Sequence, residues 1–317
     1  MFPSRTDVLS EVWRDNIFRN KVVFCTGGAG SICSVQVRAL VLLGANAAIV
    51  GRNPEKTRQV AADIARSRDG AKVIGIGGVD VRKPESITAA AAKCAEELGA
   101  IDFVIAGAAG NFVAPISRLS ANAFKSVIDI DLTGSYNTFK ATVPYLLRSA
   151  LKHRSADSLG SPLGTGGRII FISATLHYAG TPFQAHVGAG KAGVDSLSSS
   201  IAIEYGPMGI TSNVIAPGPI SDTEGMRRLA AADGEKTARK GVPLGRWGRK
   251  KEIADATIYL FSDTGNFING TLQVVDGAAW RLGALASARV EYPEALEAMM
   301  EGTPDLKPFG AGANTKL

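Results

Sequence analysis

The sequence predicts an α/β fold in which one parallel sheet carries helices on both faces. Short runs rich in β-branched residues, such as "KVVFCT" from Lys21 and "KVIGIG" from Lys72, alternate with longer segments of helical pattern. This alternation is typical of βαβ units, which build parallel sheets. With 317 residues, 45% of them hydrophobic, the chain can bury a full core in one large domain or at most two.

The pattern predicts about seven strands, in the segments "KVVFCT", "AAIVG", "KVIGIG", "IDFVIAG", "GRIIFIS", "TSNVIAP" and "TLQVVDG". The helical pattern predicts helices from about Ser31, from Pro54, from Pro84, from about Ser120, and around residues 191–205. Pro54 and Pro84 support two of these starts, because a first helical turn tolerates the missing N–H of proline. Gly99 is placed to close the third of these helices. We therefore predict a single Rossmann-like, doubly wound domain over residues 21–280. Residues 1–20 form an N-terminal extension and residues 281–317 a C-terminal one.

The composition argues against several other classes of protein. The longest apolar runs stop short of the roughly 20 residues that span a bilayer, so no membrane span is expected. Lysine and arginine are dispersed without interleaved aromatic residues, which disfavours a nucleic-acid partner. Cys25, Cys33 and Cys94 have neither disulfide nor metal-ligand spacing, so we expect no metal site and a reducing compartment. The net charge of +6 suits a polyphosphate ligand, or general solubility.

A glycine-rich turn, "FCTGGAGSIC", lies between the first predicted strand and the first helix. Glycines in this position let the backbone approach a pyrophosphate, and the helix start aims N–H groups at the phosphate. The location of the turn makes it stronger evidence than a glycine cluster alone. It predicts a dinucleotide site that includes Gly27, Gly28, Gly30, Ser31 and Ile32.

The residues after the second strand, "IVGRNPEK", indicate which dinucleotide is bound. An acidic residue would bind the ribose hydroxyls of NAD there, but the sequence has none. Arg52 offers a forked cation to a 2′-phosphate instead, which favours NADPH; the alternative is a solvated surface charge. Asp80 and Val81 end the third strand and are expected near the adenine. Ala108, in "AGAAGNF", lets the backbone come close to the cofactor.

These residues resemble the short-chain dehydrogenase/reductase family over about residues 21–277. That family combines a TGxxxGxG loop with catalytic Asn, Ser, Tyr and Lys. Here Ser31 and Cys33 replace the later glycines, Asp131 replaces the asparagine, and Val187 replaces the tyrosine. Ser173 and Lys191 match the serine and the lysine, and Pro217 and Ile220 lie in "APGPI", which matches the segment beside the nicotinamide.

Together with "AGAAGNF", "SATLHY" and "PFQAHVGAGKAG", these departures resemble the 2,4-dienoyl-CoA reductases of the peroxisomal type. The resemblance implies NADPH-dependent reduction of a 2,4-dienoyl-CoA to a 3-enoyl-CoA, an auxiliary step in β-oxidation of unsaturated fatty acids. It also implies a homodimer or homotetramer. The final "TKL" resembles the S-K-L tripeptide that an import receptor recognises, so the peroxisomal matrix is the expected location. A chance C-terminus is the alternative.

The chemistry of a dienoyl thioester explains why Val187 can replace tyrosine. Hydride added at C5 sends negative charge to the thioester oxygen, and the proton is then needed at C2. Asn111 is the candidate donor to the oxyanion, with a loop-capping amide as the alternative. For the acid, the resemblance implies a water held by Asp131 and Lys191. Asp276 is a possible second carboxylate near this water, and a turn cap is an equal alternative.

Phe112 and His186 are expected to contact the substrate. Phe112 would line the acyl channel, or else belong to the core. His186 would line the substrate site or have a structural role, and direct proton transfer is a weaker alternative. Two rival functions remain open: reduction of ketones or ketoacyl thioesters, which Val187 disfavours, and an inactive NADPH-binding scaffold, which the retained Lys191 and Asn111 disfavour.

Overall fold

The computed structural model of the chain describes residues 3–153, 155–156, 162–163, 166–229 and 242–282. The predicted seven-stranded parallel sheet is confirmed, with strand order β3-β2-β1-β4-β7-β8-β9. Its strands are β1 (Val22–Thr26), β2 (Asn46–Gly51), β3 (Val73–Gly77), β4 (Phe103–Ala106), β7 (Arg168–Ile172), β8 (Thr211–Pro217) and β9 (Leu272–Val275). Two short strands, β5 (Ser155–Ala156) and β6 (Pro162–Leu163), pair separately and antiparallel.

The order of the strands reverses between β1 and β4. From β1 the chain builds outward to β3, and it then returns to β4 and builds in the other direction. Thr26, the last residue of β1, consequently lies beside Val50 on one side and Ala106 on the other. In doubly wound sheets, ligands bind in the crevice that this reversal leaves at the carboxyl ends of the strands.

Helices cover both faces of the sheet, as predicted. They are α1 (Arg5–Val8), α2 (Cys33–Leu42), α3 (Pro54–Ala65), α4 (Pro84–Leu98), α5 (Ala121–Ile128), α6 (Gly134–Lys152), α7 (Leu176–Ala179), α8 (Ala185–Tyr205), α9 (Glu224–Leu229) and α10 (Lys250–Phe261). A π-helical turn, Asp129–Thr133, joins α5 to α6. The start of α3 has two signals: Pro54 at its first turn, and Asn53, whose side chain accepts a hydrogen bond from the Lys56 N–H.

Strand residues alternate between two hydrophobic cores, one on each face of the sheet. Val23 and Cys25 of β1 lie in one core together with residues of α2 and α10. Val22 and Phe24 lie in the other core together with residues of α4, α6 and α8. Because successive strand side chains point to opposite faces, both faces of β1 are buried, which explains why its sequence is apolar from Val22 to Cys25.

Several details differ from the sequence-based expectations. Helix α8 begins at Ala185, well before the expected start near Lys191, and α9 and α10 were not among the predicted elements. The N-terminal segment contributes Val8, Leu9 and Phe18 to the core. The Ser10 hydroxyl and the Trp13 indole N–H both donate to the Asp255 carboxylate on α10, which anchors this segment.

Some predicted features lie wholly or partly outside the described residues. The sequence also predicts a Ser-, Gly- and Pro-rich connection over residues 152–167 and a short amphipathic helix over residues 294–300. Half of that connection, the whole of that helix and the C-terminal tripeptide lie outside the described residues. In the described part of the chain, no helix is long and apolar enough to cross a membrane. The same part contains no cluster of three or more His, Cys, Asp or Glu side chains placed to bind a metal ion.

Candidate active site

A cleft of about 1040 Å³ lies at the carboxyl ends of the central strands. It occupies the place where the strand order reverses, which is the expected ligand position in this architecture. Of the residues predicted from sequence, the following line it: Gly27, Gly30, Ser31, Ile32, Arg52, Asp80, Val81, Ala108, Asn111 and Phe112. The other candidates are outside its lining: Gly28, Asp131, Ser173, His186, Lys191, Pro217, Ile220 and Asp276.

The glycine-rich turn brings bare backbone to the cleft. Gly27 has φ of +65°, and a Cβ atom there would lie 2.7 Å from the Gly107 carbonyl oxygen. Gly28 has a different function, because a Cβ atom at that position would lie 2.5 Å from Cβ of Ile49. Gly27 therefore allows the loop to approach β4, whereas Gly28 allows it to pack on β2.

Ser31 links this turn to the segment after β8. Its hydroxyl accepts a hydrogen bond of 3.2 Å from the backbone N–H of Glu224, the first residue of α9. Thr223, Glu224 and Gly225 line the cleft opposite the glycine-rich turn. A residue that replaces a glycine of the family pattern thus holds two walls of the cleft together.

Charged side chains line the cleft in the segments that follow β2 and β3. Arg52 is exposed, lines the cleft, and has no hydrogen-bond or ion-pair partner within the described ranges. Asp80 lies nearby and receives hydrogen bonds from the Arg82 guanidinium, 2.5 Å from Nη2 to Oδ2 and 2.9 Å from Nε to Oδ1. These bonds, helped by the charge of Arg52, lower the pKa of Asp80 to about 2. Asp80 is therefore ionised near neutral pH.

Lys191 and Asp131 form a buried ion pair just behind the cleft wall. The Lys191 Nζ atom lies 3.0 Å from Oδ2 of Asp131 and donates a 2.9 Å hydrogen bond to the Ile172 carbonyl. The Asp131 carboxylate, which is fully buried, also accepts a 2.7 Å hydrogen bond from the Gly110 N–H. Both Ile172 and Gly110 line the cleft. The pair therefore contacts the wall of the cleft from two sides.

Local backbone structure explains how Asp131 reaches Lys191. Asp131 lies in the π-helical turn, and π-turns often occur at functional sites. The Ser135 hydroxyl donates a 2.5 Å hydrogen bond to the Asp131 carbonyl within this turn. On the opposing helix, Gly190 packs directly against this turn, because a Cβ atom there would lie 3.4 Å from the Asp131 Cβ, at ordinary van der Waals distance. Helix α8 therefore lies close to the Asp131 backbone at this point.

Val187 places an apolar side chain where the family pattern has tyrosine. It is 2% exposed and lies one turn before Lys191 on α8. The nearby Tyr178 does not replace the missing phenol, because its hydroxyl donates to Oδ2 of Asp195 at 3.1 Å. Burial, followed by the charge of Asp195, raises the pKa of Tyr178 well above its ordinary value. Tyr178 is therefore a poor acid.

The two histidines of this region are structural neighbours of the site. His186 is fully buried, and its ring stacks on Phe112 with 4.1 Å between ring centroids. Burial lowers the pKa of His186, which keeps the ring neutral near pH 7. His177 Nε2 lies 2.7 Å from Oδ2 of Asp195, on the same carboxylate oxygen as Tyr178. His186 therefore supports Phe112 from behind, and His177 fixes α7 on α8.

Asn111 lies where two loops meet at the mouth of the cleft. Its Nδ2 atom is 3.4 Å from Oε1 of Gln184, a long hydrogen bond. The neighbouring Ala114 N–H donates a 3.0 Å hydrogen bond to the Phe183 carbonyl. Phe183 has φ of +63°, which is rare for an aromatic residue. The Asn111 amide is thus held by a strained loop but is only weakly engaged.

Asp276 and Ser173 lie near the ends of the last strands. The two carboxylate oxygens of Asp276 accept 2.8 Å hydrogen bonds from the N–H groups of Ala278 and Trp280. This geometry agrees with the turn-cap alternative for Asp276. Ser173 is buried, and its hydroxyl has no hydrogen-bond partner among the residues that the structure describes. An unpaired buried hydroxyl is costly, so Ser173 is suited to a ligand.

Sequence reasoning missed several contributors to the cleft region, among them Arg82, Thr223 and Glu224. Arg82 directly follows the predicted "VDV" strand end, and its spacing of two residues from Asp80 is a local signal that could have found it. Thr223 and Glu224 gave no such signal, because their position depends on α9 folding back over the glycine-rich turn.

Comparisons with known proteins agree with this architecture. A family model described as enoyl-(acyl carrier protein) reductase matches residues 27–278. The peroxisomal 2,4-dienoyl-CoA reductase of Saccharomyces cerevisiae, described as (3E)-enoyl-CoA-producing, is 50% identical over 285 residues, which cover 90% of this chain and 92% of that protein. The protein of the same description from Danio rerio is 37% identical over 276 residues, covering 87% of this chain and 86% of its own length.

The chain belongs to the short-chain dehydrogenase/reductase family. A solved structure of a short-chain dehydrogenase from Bacillus anthracis, 32% identical, superposes with a TM-score of 0.69 and covers 82% of this chain and 96% of that one. Family membership makes the chain an oxidoreductase with a nicotinamide cofactor. Within the short-chain dehydrogenase/reductase pattern, Val187 and Asp131 are the departures that bear on its chemistry.

Proposed function

We propose that this oxidoreductase is an NADPH-dependent 2,4-dienoyl-CoA reductase that produces a 3-enoyl-CoA in β-oxidation of unsaturated fatty acids. The observation that carries the proposal is the buried Lys191–Asp131 pair beside an apolar Val187. A lysine without a tyrosine suits a reaction that needs its proton far from the carbon that accepts hydride. The names of the relatives at 50% and 37% identity support the substrate class.

The residues of the cleft fit a phosphorylated dinucleotide. Gly27 and Gly30 line the cleft, so backbone without side chains faces it at the glycine-rich turn. Arg52 provides an uncommitted guanidinium at the end of β2, where an NAD-specific site would have an acid. In this proposal the pyrophosphate turn consists of Gly27, Gly28, Gly30, Ser31 and Ile32. Arg52 binds the 2′-phosphate, and the adenine lies between Asp80 and Val81. The nicotinamide ribose and ring are surrounded by Ala108, Ser173, Lys191, Pro217 and Ile220.

Asn111 is the proposed donor to the thioester oxygen. A bound reduced nicotinamide supplies a hydride, which the dienoyl thioester accepts at C5. Charge then moves through the conjugated system to the thioester oxygen, where an oriented N–H stabilises it. The 3.4 Å contact from Asn111 to Gln184 is long enough to be exchanged readily for a bond to substrate.

Lys191 and Asp131 are proposed to hold the water that protonates C2. The Lys191 ammonium has three N–H donors, and one of them is directed to the Ile172 carbonyl. Its other N–H donors, with Nζ 3.0 Å from Oδ2 of Asp131, are available for a water or for the cofactor ribose. Because the adjacent positive charge favours the ionised form of a neighbouring acid, it makes a bound water more acidic. The Asp131 carboxylate, held by the Gly110 N–H, orients that water.

The other candidates have supporting positions in this proposal. Phe112 lines the acyl side of the cleft, and His186 fixes the Phe112 ring from behind. Asp276 acts on the site through the turn that it caps, next to Trp280. Direct contact of Asp276 with the catalytic water would require it to exchange one of its two backbone bonds.

Location and assembly complete the proposal. Relatives described as peroxisomal support the peroxisomal matrix as the location, with import through recognition of the final tripeptide. A homodimer or homotetramer agrees with apolar side chains on the outer faces of the long helices: Tyr136 on α6 and Ile203 on α8 are 47% and 80% exposed.

The first experiment measures the loss of NADPH absorbance with a 2,4-dienoyl-CoA. Parallel assays use NADH in place of NADPH, and a ketoacyl-CoA in place of the dienoyl substrate, at matched concentrations. Rapid consumption only with NADPH and the dienoyl substrate is the expected result. Turnover of the ketoacyl-CoA alone would instead make the chain a ketone reductase, and tight NADPH binding without any turnover would make it an inactive scaffold.

A second assay locates the proton. Turnover in D₂O is expected to place deuterium at C2 of the product, which mass spectrometry and NMR detect. Deuterium at any other carbon would contradict the proposed water position.

A further inference from the structure

Asp80 and Arg82 form a charge pair at the adenine end of the cleft. Oδ1 of Asp80 accepts from the Arg82 backbone N–H at 3.0 Å and from Nε at 2.9 Å, and Oδ2 accepts from Nη2 at 2.5 Å. The Asp80 side chain is 18% exposed, whereas that of Arg82 is 42% exposed. Both carboxylate oxygens therefore face a cation, although Arg82 itself is outside the lining of the cleft.

A carboxylate in this position creates an electrostatic conflict. Asp80 and Arg52 line the same cleft, and the charge of Arg52 reaches the Asp80 carboxylate. A 2′-phosphate bound by Arg52 would carry about two negative charges and would be repelled by an unpaired aspartate nearby. An aspartate that favours adenine would thereby disfavour the phosphorylated dinucleotide.

We propose that Arg82 determines specificity for the 2′-phosphate by neutralising Asp80. The inference rests on the proposed NADPH preference and adds to it a residue outside the cleft. Arg82 acts through Asp80 as a positioning and charge-balancing residue. Asp80 can then remain an acceptor for adenine while Arg52 keeps its full attraction for the phosphate.

The bidentate geometry favours this role over that of an ordinary surface ion pair. An exposed pair with one contact contributes little, but here a guanidinium fork and a backbone N–H converge on one carboxylate. The turn alone would need only the backbone bond from residue 82. The guanidinium therefore has a function that the turn does not explain.

The test compares dissociation constants for NADPH and NADH, measured by fluorescence titration of the full chain. Their ratio isolates the effect of the 2′-phosphate, so it separates specificity from general loss of binding. The variants are Arg82→Ala, Arg82→Lys, Asp80→Asn and the double variant Asp80→Asn/Arg82→Ala. Lys93→Ala, which removes one exposed positive charge on the outer side of α4, is the control for net charge.

Arg82→Ala is expected to lower the NADPH:NADH affinity ratio roughly three- to tenfold, the effect of one unit charge across partly screened solvent. Arg82→Lys and Lys93→Ala should keep the ratio near that of the wild type. The double variant should restore it, because asparagine keeps the acceptor for adenine but carries no charge. The loss in Arg82→Ala should also shrink as salt concentration rises.

Three outcomes would overturn the inference. An unchanged ratio in Arg82→Ala would show that the pair only shapes the turn. A ratio that stays low in the double variant would show that Arg82 binds the phosphate directly. An equal loss in Lys93→Ala would show an effect of net charge alone. A wild-type protein that binds NADH in preference to NADPH would contradict the proposed cofactor instead, so the two failures are distinguishable.

Discussion

The Nζ atom of Lys191 lies 3.0 Å from Oδ2 of Asp131 although the two residues are sixty positions apart in the chain. Both residues are at least 95% buried, and the carboxylate is also fixed by the Gly110 N–H. Such a pair is costly to assemble unless each charge is matched. The ion pair lies behind the cleft wall, where it places a cation and an acceptor next to the proposed site of protonation. A catalytic role would explain why the protein keeps a pair that is costly to bury.

Removing the lysine should reduce both stability and turnover. Lys191→Met keeps most of the side-chain volume but leaves Asp131 buried without its cation, which should lower the free energy of unfolding by about 3–5 kcal/mol. Turnover of the dienoyl-CoA should fall at least a hundredfold, because the acidified water is lost. Urea denaturation and steady-state kinetics measure the two effects.

The double variant Lys191→Met/Asp131→Asn separates these effects. It should recover much of the stability, because no unpaired charge remains, and it should stay inactive. Activity that returns together with stability would contradict a chemical role for the pair.

Asp131→Asn restores the residue of the family pattern and should nevertheless impair this enzyme. Asparagine keeps an oxygen that can accept from the Gly110 N–H, so the turn should remain intact. The negative charge that balances Lys191 and orients the water is lost, so kcat should fall more than tenfold while KM for NADPH changes little. The pH dependence of kcat should also change. A variant with wild-type kcat and an unaltered pH profile would remove Asp131 from the proton pathway.

Introducing the missing tyrosine is expected to bring no benefit. Val187 is 2% exposed, so Val187→Tyr and Val187→Phe both overpack the site, typically by 1–3 kcal/mol. If the proton is delivered at C2 by water, the phenol hydroxyl contributes nothing, and the two variants should be slowed to the same extent. Dienoyl-CoA turnover at matched folded concentrations tests this. A tyrosine variant ten times faster than the phenylalanine variant would show that a proton donor at position 187 can work.

The sequence predicted the scaffold better than the contacts within the site. The helix starts at Pro54 and Pro84 and the end at Gly99 were correct because they depend on local backbone chemistry. The pairing of Lys191 with Asp131 has no local signal, and it was expected only through the resemblance to a family. The Asp276 carboxylate could not be assigned from sequence, because a turn cap and a site carboxylate have the same local pattern.

His186 should make the folded state sensitive to acid. Burial lowers its pKa below the ordinary value of about 6.5, so the unfolded chain binds a proton that the folded chain does not. The stability associated with the neutral ring is complete above pH 6.5 and is lost as pH falls through 6.5 toward the folded pKa. His186→Gln should therefore lose less stability than the wild type between pH 7.5 and pH 5.5. Urea denaturation at several pH values measures this.

His153 provides the comparison for that experiment. Burial also lowers the pKa of His153, so it contributes in the same direction in both proteins and cancels in the difference. An equal loss of stability in wild type and His186→Gln would show that the pKa of His186 is the same in the folded and unfolded states.

Gly27 and Gly70 offer a matched test of the glycine-rich turn. Both have positive φ, +65° and +73°, but a Cβ atom at Gly27 would lie 2.7 Å from the Gly107 oxygen, whereas one at Gly70 would have no neighbour within 4 Å. Gly70→Ala should therefore show only the backbone cost, about 1–2 kcal/mol. Gly27→Ala should lose more stability and should also bind NADPH at least tenfold more weakly, because the turn is displaced from the cleft. Thermal unfolding and NADPH titration of both variants measure these effects, and equal NADPH affinity in the two would show that the turn does not contact the dinucleotide.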